Sequence, residues 1–166
     1  RLLELETQAR ANGSALGTAA SATTVADGAT LALQGGITVA AEPLSLRGSG
    51  VGGIGALNNV SGANVFGGPV TMSNNVLISA TAGSLSLTGT VANGGNLLTL
   101  GGAGNLTFHG VISGGGGLTK NDAGNLVLSA TNTYGGPTTL NGGLTTVSGS
   151  INSGVVTVNN AAVLSV

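Results

Sequence analysis

The chain repeats itself at short range. Laying 101–120 over 121–140 gives 7 identities in 20, four of them the run Ala103-Gly104-Asn105-Leu106 over Ala123-Gly124-Asn125-Leu126. A related unit, Ala82-Gly83-Ser84-Leu85, precedes the first of these by nearly the same step. A period this short has room for a few strands of about five residues, but not for a pair of helices. It calls for a solenoid, in which each repeat buries its apolar face only by stacking on its neighbours.

The strand units are visible as two-residue alternations, which send apolar side chains to one face of a strand. They include Leu31/Leu33, Leu44/Leu46, Leu85/Leu87, Leu98/Leu100, Leu106/Phe108, Leu126/Leu128, Val156/Val158 and Leu164/Val166. Thr and Ser fill the positions between them, as an outer strand face would want. Gly, Asn and Ala gather between the units, where turns are needed. The expected fold is all-β: a right-handed parallel β-helix of about 20 residues per coil, roughly eight coils over 1–166. At the usual strand separation that is a rod about 38 Å long. Asn105 over Asn125 would form an amide ladder at a turn. Arg1 to Arg10 is compatible with a helical turn, but Leu3-Glu4-Leu5-Glu6 alternates and reads as one more strand.

Composition narrows the function. Of 166 residues 32 are Gly, only 5% are charged, and the net charge is −1. That supplies no basic footprint for nucleic acid. No apolar run is long enough to read as a membrane-spanning helix. There is no Cys, hence no disulfide frame and no thiolate metal site. Beyond Arg47 only Lys120 and Asp122 carry charge. A long neutral surface favours self-association.

With the repeat laid out, residues 117–144 (GLTKNDAGNLVLSATNTYGGPTTLNGGL) resemble the autotransporter-associated β-strand repeat of bacterial passenger regions and giant surface proteins. Asp122 stands where that family usually has Gly. Weaker similarity of the same kind runs from Thr24 to Gly116. The resemblance implies a single β-solenoid domain, a segment of a longer exported protein displayed at the bacterial surface, with a structural or adhesive role and no enzymatic one. The opening at Arg1, without Met or an apolar leader, fits such a segment.

Candidate sites are few. His109 is the one histidine and falls on an outward position, so no metal site or triad forms around it. Gly48-Ser49-Gly50-Val51-Gly52-Gly53 satisfies G-x-G-x-x-G, yet no acidic residue lies between Glu42 and Asp122 to bind a ribose. Gly101 to Leu106 mimics a calcium-roll repeat but lacks its carboxylate. Glu4 and Glu6 are the one close pair of acids, as a polysaccharide-cleaving enzyme would need, and the plainer reading is a solvated strand face. Adjacent threonines such as Thr138-Thr139 do not make the Thr-x-Thr array of an ice-binding face.

A second, longer-range echo sets Ser61 to Met72 against Ser129 to Leu140 with six matches in twelve. It places Phe66 and Tyr134 at equivalent positions. Each either closes the end of the core or offers a ring to a glycan or host protein. Strand-like units near both ends, Leu3 and Leu5 at one and Val163, Leu164 and Val166 at the other, are the expected edges for end-to-end stacking, unless the chain simply continues. No cofactor or metal is expected.

Overall fold

The protein is described by a computed structural model covering residues 2–3, 7–10, 14, 16 and 21–166, with backbone only for 2–3 and 7–10. It is a parallel β-solenoid, and its strands stack in three columns. The first column holds Leu2–Leu3, Thr23–Val25, Leu44–Gly48, the start of Val70–Ala80, Val91–Ala92 and Ile112–Ser113. The second holds Thr7–Arg10, Leu31–Gln34, Leu57–Ser61, the end of Val70–Ala80, Leu98–Gly101, Leu118–Lys120, Thr138–Leu140 and Val156–Val158. The third runs from Thr38–Val39 through Ala63–Phe66, Ser84–Leu87, Asn105–Phe108, Leu126–Leu128 and Gly143–Val147 to Ala162–Ser165. The eight passes of the second column enclose about seven turns, ~21 residues apart. Leu2–Leu3 and Thr7–Arg10 are strands, while residues 4–6, which carry most of the alternation read in that segment, lie outside the described residues.

Every described pairing is parallel, and over most of the rod equivalent positions of successive coils stand in register, so like stacks on like. The third column carries one inward row of Leu85, Leu106 and Leu126, and a second of Phe66, Leu87, Phe108, Leu128 and Val147. From Phe66 to Leu128 these side chains are at most 1% exposed. Burying a Leu or Phe completely is worth about 1.5–3 kcal/mol, and the second row runs without interruption through five coils. Between the inward rows stand Ser86, Thr107, Val127 and Thr146, half-buried on the outer side.

The corners explain the glycine content. Gly68, Gly89 and Gly110 stack where the third column turns back to the first. A Cβ on Gly89 would lie 2.0 Å from the carbonyl oxygen of Gly68, and one on Gly110 1.9 Å from that of Gly89. No side chain fits between coils that close. Elsewhere the corners absorb differences in coil length. The pairing of Leu85 with Leu106 is the ordinary step, that of Leu44 with Val70 is longer, and that of Leu140 with Val158 is shorter.

The facing of Leu106 and Thr107 is directly testable. Leu106→Asp buries a charge in the row of leucines and should cost more than about 3 kcal/mol. Thr107→Asp should cost less than about 1 kcal/mol, because that side chain points outward. Equilibrium urea unfolding of the two variants measures both, and equal losses would reverse the assigned faces.

Candidate functional site

Phe66 and Tyr134 are both fully buried, so of the two readings offered for these rings the core one fits and neither ring is open to a partner. Nor are they equivalent. Phe66 ends a strand of the third column, in register with Leu87 and, one coil on, Phe108. Tyr134 precedes Thr138 of the second column and shares a 2.8 Å hydrogen bond between its hydroxyl and Thr138 Oγ1. The longer-range echo therefore matches segments on different columns. His109 is exposed, as its outward position implies, with Nδ1 3.1 Å from Ser129 Oγ. Glu4, Glu6 and Leu5 lie outside the described residues. The glycines of 48–53 lead into a single 3-10 turn, Val51–Gly53, and then a strand, so the helix that would cradle a pyrophosphate is not there. Among the described residues no group of three His, Cys, Asp or Glu converges on a metal position.

Two outer rows follow the second column. Thr99, Thr119, Thr139 and Thr157 stand in register on consecutive coils. Beside them Asn141 Nδ2 donates to Asn121 Oδ1 at 2.7 Å, and Asn159 Nδ2 donates to Asn141 Oδ1 at 2.6 Å. This is an amide ladder, but not the expected one: Asn105 Oδ1 instead accepts from the backbone N–H of Asn125 at 3.2 Å. The signal for the true ladder is the near-constant spacing of Asn121, Asn141 and Asn159.

Lys120 is the least expected feature. The alternation Leu118-Thr119-Lys120 points it inward, between Leu100 and Leu140, and it is 1% exposed. Its Nζ donates to the carbonyl of Asn121 and, at 2.9 Å, to that of Asp122. Desolvation lowers its pKa below the ordinary 10.5, and the Asp122 carboxylate partly opposes that. Asp122 adopts a left-handed backbone (φ 61°), a conformation that Asp tolerates better than most residues. Its Oδ2 accepts from Gly102 N–H at 2.8 Å, tying two coils together. Glu42, also buried, accepts from Thr23 Oγ1 at 2.6 Å.

The outer side of the second column has one elaboration. Residues 49–55 bulge out between the first column and the third strand of the second. The loop is fastened by Gly55 N–H to Ser49 carbonyl at 2.7 Å, by Thr30 Oγ1 to Gly55 carbonyl at 2.8 Å, and by Val51 N–H to Thr30 Oγ1 at 2.9 Å. Ser79 Oγ donates to the Ile54 carbonyl. Two open hollows lie beside this loop. One of about 390 Å³ is lined by Asp27, Ser49, Asn74, Asn75, Leu77 and Thr99 among others. The other, about 310 Å³, is lined by Ile54, Leu77, Ser79, Thr81, Gly102 and Asp122 among others. At the far end, the last coil exposes Val155 by 61%, Val163 by 59% and Val166 by 96%, while Leu164 packs partly against the core.

The buried amine and phenol titrate in opposite senses. Between the lowered pKa of Lys120 and 10.5 the unfolded chain holds the proton and the folded one does not, so stability rises with pH in that window. Burial raises the pKa of Tyr134 above 10.0, so the folded chain keeps a proton the unfolded one has lost, and stability falls as pH climbs past 10.0. Urea unfolding at several pH values from about 8 to 11 should show the rise vanish in Lys120→Met and the fall vanish in Tyr134→Phe.

Residues 118–147 match the family model described as the passenger-associated-transport-repeat. No curated protein and no solved structure matches the chain. The matched stretch covers the Leu118–Lys120, Leu126–Leu128, Thr138–Leu140 and Gly143–Val147 strands, together with buried Lys120 and Tyr134. The chain is thus a β-solenoid bearing, at 118–147, a repeat of the family found in autotransporter passengers.

Proposed function

We propose that the chain is an extracellular structural module, a stalk segment of a bacterial surface protein, with a mechanical rather than catalytic role. The observation that carries this reading is the parallel ladder that runs through all the described coils, each inner coil bonded to the one before and the one after. Such a ladder resists bending and leaves few frayed segments for proteases. The passenger-type repeat at 118–147 supports export to the surface. The described carboxylates Asp27, Glu42 and Asp122 do not form a catalytic cluster, since Glu42 is buried and the Asp122 backbone lies four coils along the rod from that of Asp27, too far for a carboxylate pair even with the side chains leaning toward each other, which favours scaffold over hydrolase.

The exposed valines of the last coil favour an accompanying property. Val156–Val158 and Ala162–Ser165 present their far backbone edges and an apolar rim, the natural seat for another parallel coil. That coil is either further chain or, for the 166-residue chain alone, a second copy stacked end to end.

Two measurements test the proposal. Immunogold labelling of intact cells of the producing organism should decorate the surface, and labelling only after permeabilisation would overturn surface display. Electron microscopy of the purified 166-residue chain should show short rods joined lengthwise. Monodisperse single particles at high concentration would overturn end-to-end stacking.

A further inference from the structure

The bulge at 49–55 is costly to build, and nothing in the ladder requires it. Gly50 has φ 81° and is so enclosed that a Cβ there would lie 2.1 Å from the Gly55 carbonyl oxygen. Two buried hydroxyls, Thr30 and Ser79, serve the bulge. What this frame presents outward is apolar: Val51 and Ile54 are 38% and 42% exposed. In solenoids, insertions collect on one face, and that face is commonly the binding one.

Charge adds direction. Among the described residues Glu42 is a buried carboxylate, and the two exposed ones, Asp27 and Asp122, each line one of the two hollows. Leu77 is a wall of both. The Asp122 side chain reaches the coil before its own, through Gly102, and Asp27 lies beside Gly48 of the coil after its own. Two to three coil spacings along the axis, and roughly four residues across the face, set the carboxylates about 18 Å apart. An extended peptide covers that span in about six residues.

We propose that this shelf binds an extended cationic polypeptide segment, with one Lys or Arg over Asp27, an apolar side chain on Leu77 and Ile54, and a second cation at Asp122. Ser49, Asn74, Asn75 and Thr99 line the first hollow with groups that hydrogen-bond a peptide backbone. A sugar chain fits less well: the three aromatic residues of the chain, Phe66, Phe108 and Tyr134, are all buried, which leaves no ring for a sugar face to stack on. The site lies on the side of the rod and adds a side-binding activity to the stalk role without depending on it.

The test uses the 166-residue chain and a fluorescent hexapeptide with lysine at both ends and leucine between. Fluorescence anisotropy should show saturable binding that weakens with added salt. The Asp27→Asn/Asp122→Asn double variant should bind at least tenfold more weakly and lose the salt dependence. Both amides keep an acceptor oxygen, and an unchanged melting curve verifies the fold. Ile54→Ser should weaken binding severalfold while leaving the salt dependence intact. Absence of saturable binding, equal binding of a glutamate-ended peptide, or indifference to the double variant overturns the proposal, as does saturable binding of a neutral oligosaccharide that displaces the peptide.

Discussion

The backbone hydrogen bond between consecutive coils governs this molecule. It fixes the coil separation near the 4.7–4.9 Å of any parallel pair, and each residue must therefore live with its own counterpart one coil away. Apolar residues profit, since Leu85, Leu106 and Leu126 stack along the axis as well as packing across it. At the corners the same distance is too short for a side chain, and Gly68, Gly89 and Gly110 follow from it. So does the outer ladder of Asn121, Asn141 and Asn159, whose amides are held at hydrogen-bonding range by backbone they do not themselves organise.

The same constraint accounts for what can be read from the sequence. Wherever the coil length stays nearly constant, as from Leu85 to Leu128, the inward pairs are legible by eye and they are the buried ones. Legibility fails where the corner changes length. The bulge at 49–55 stretches its coil, and in the strand after it Leu33 pairs with Asn59 and the register then shifts past Val60. The longer-range echo spans several corners of unequal length, so identical Gly-Gly-Pro runs carry rings that fall on different columns, and equating Phe66 with Tyr134 fails. The burial of Lys120 is legible from its alternation with Leu118, but a charged residue invites the opposite reading, because lysine is almost never fully buried. Of the docking shelf nothing is legible, since Asp27 and Asp122 are far apart in the chain and only the stacking brings them to one face.

Buried polar groups in the core are more numerous than an apolar rod needs. Asn64 donates to Asn59 Oδ1 at 2.6 Å and accepts from Ile37 N–H at 2.8 Å, and Asn132 accepts from Ile112 N–H at 2.9 Å. The first of these bonds braces a single coil, whereas the two from Ile37 and Ile112 join successive coils and are lost if one coil slips by a position on the next. Rows of leucine are permissive about register, because one Leu stacks on another as well as on the next. Satisfied amides, and the lysine between Leu100 and Leu140, are not permissive. They trade some stability for a single alignment of each coil on the last.

The amide ladder also gives the rod a sense of direction. Asn159 donates to Asn141, and Asn141 to Asn121, so along this row each hydrogen points toward the earlier coil and each carbonyl toward the later one. A coil laid on in the opposite orientation would bring acceptor against acceptor and would break the parallel backbone pairing beneath it. The row works like a one-way thread: material can be added to it in one sense only, and a rod assembled from such units has a head and a tail that no amount of sliding or rotation can exchange.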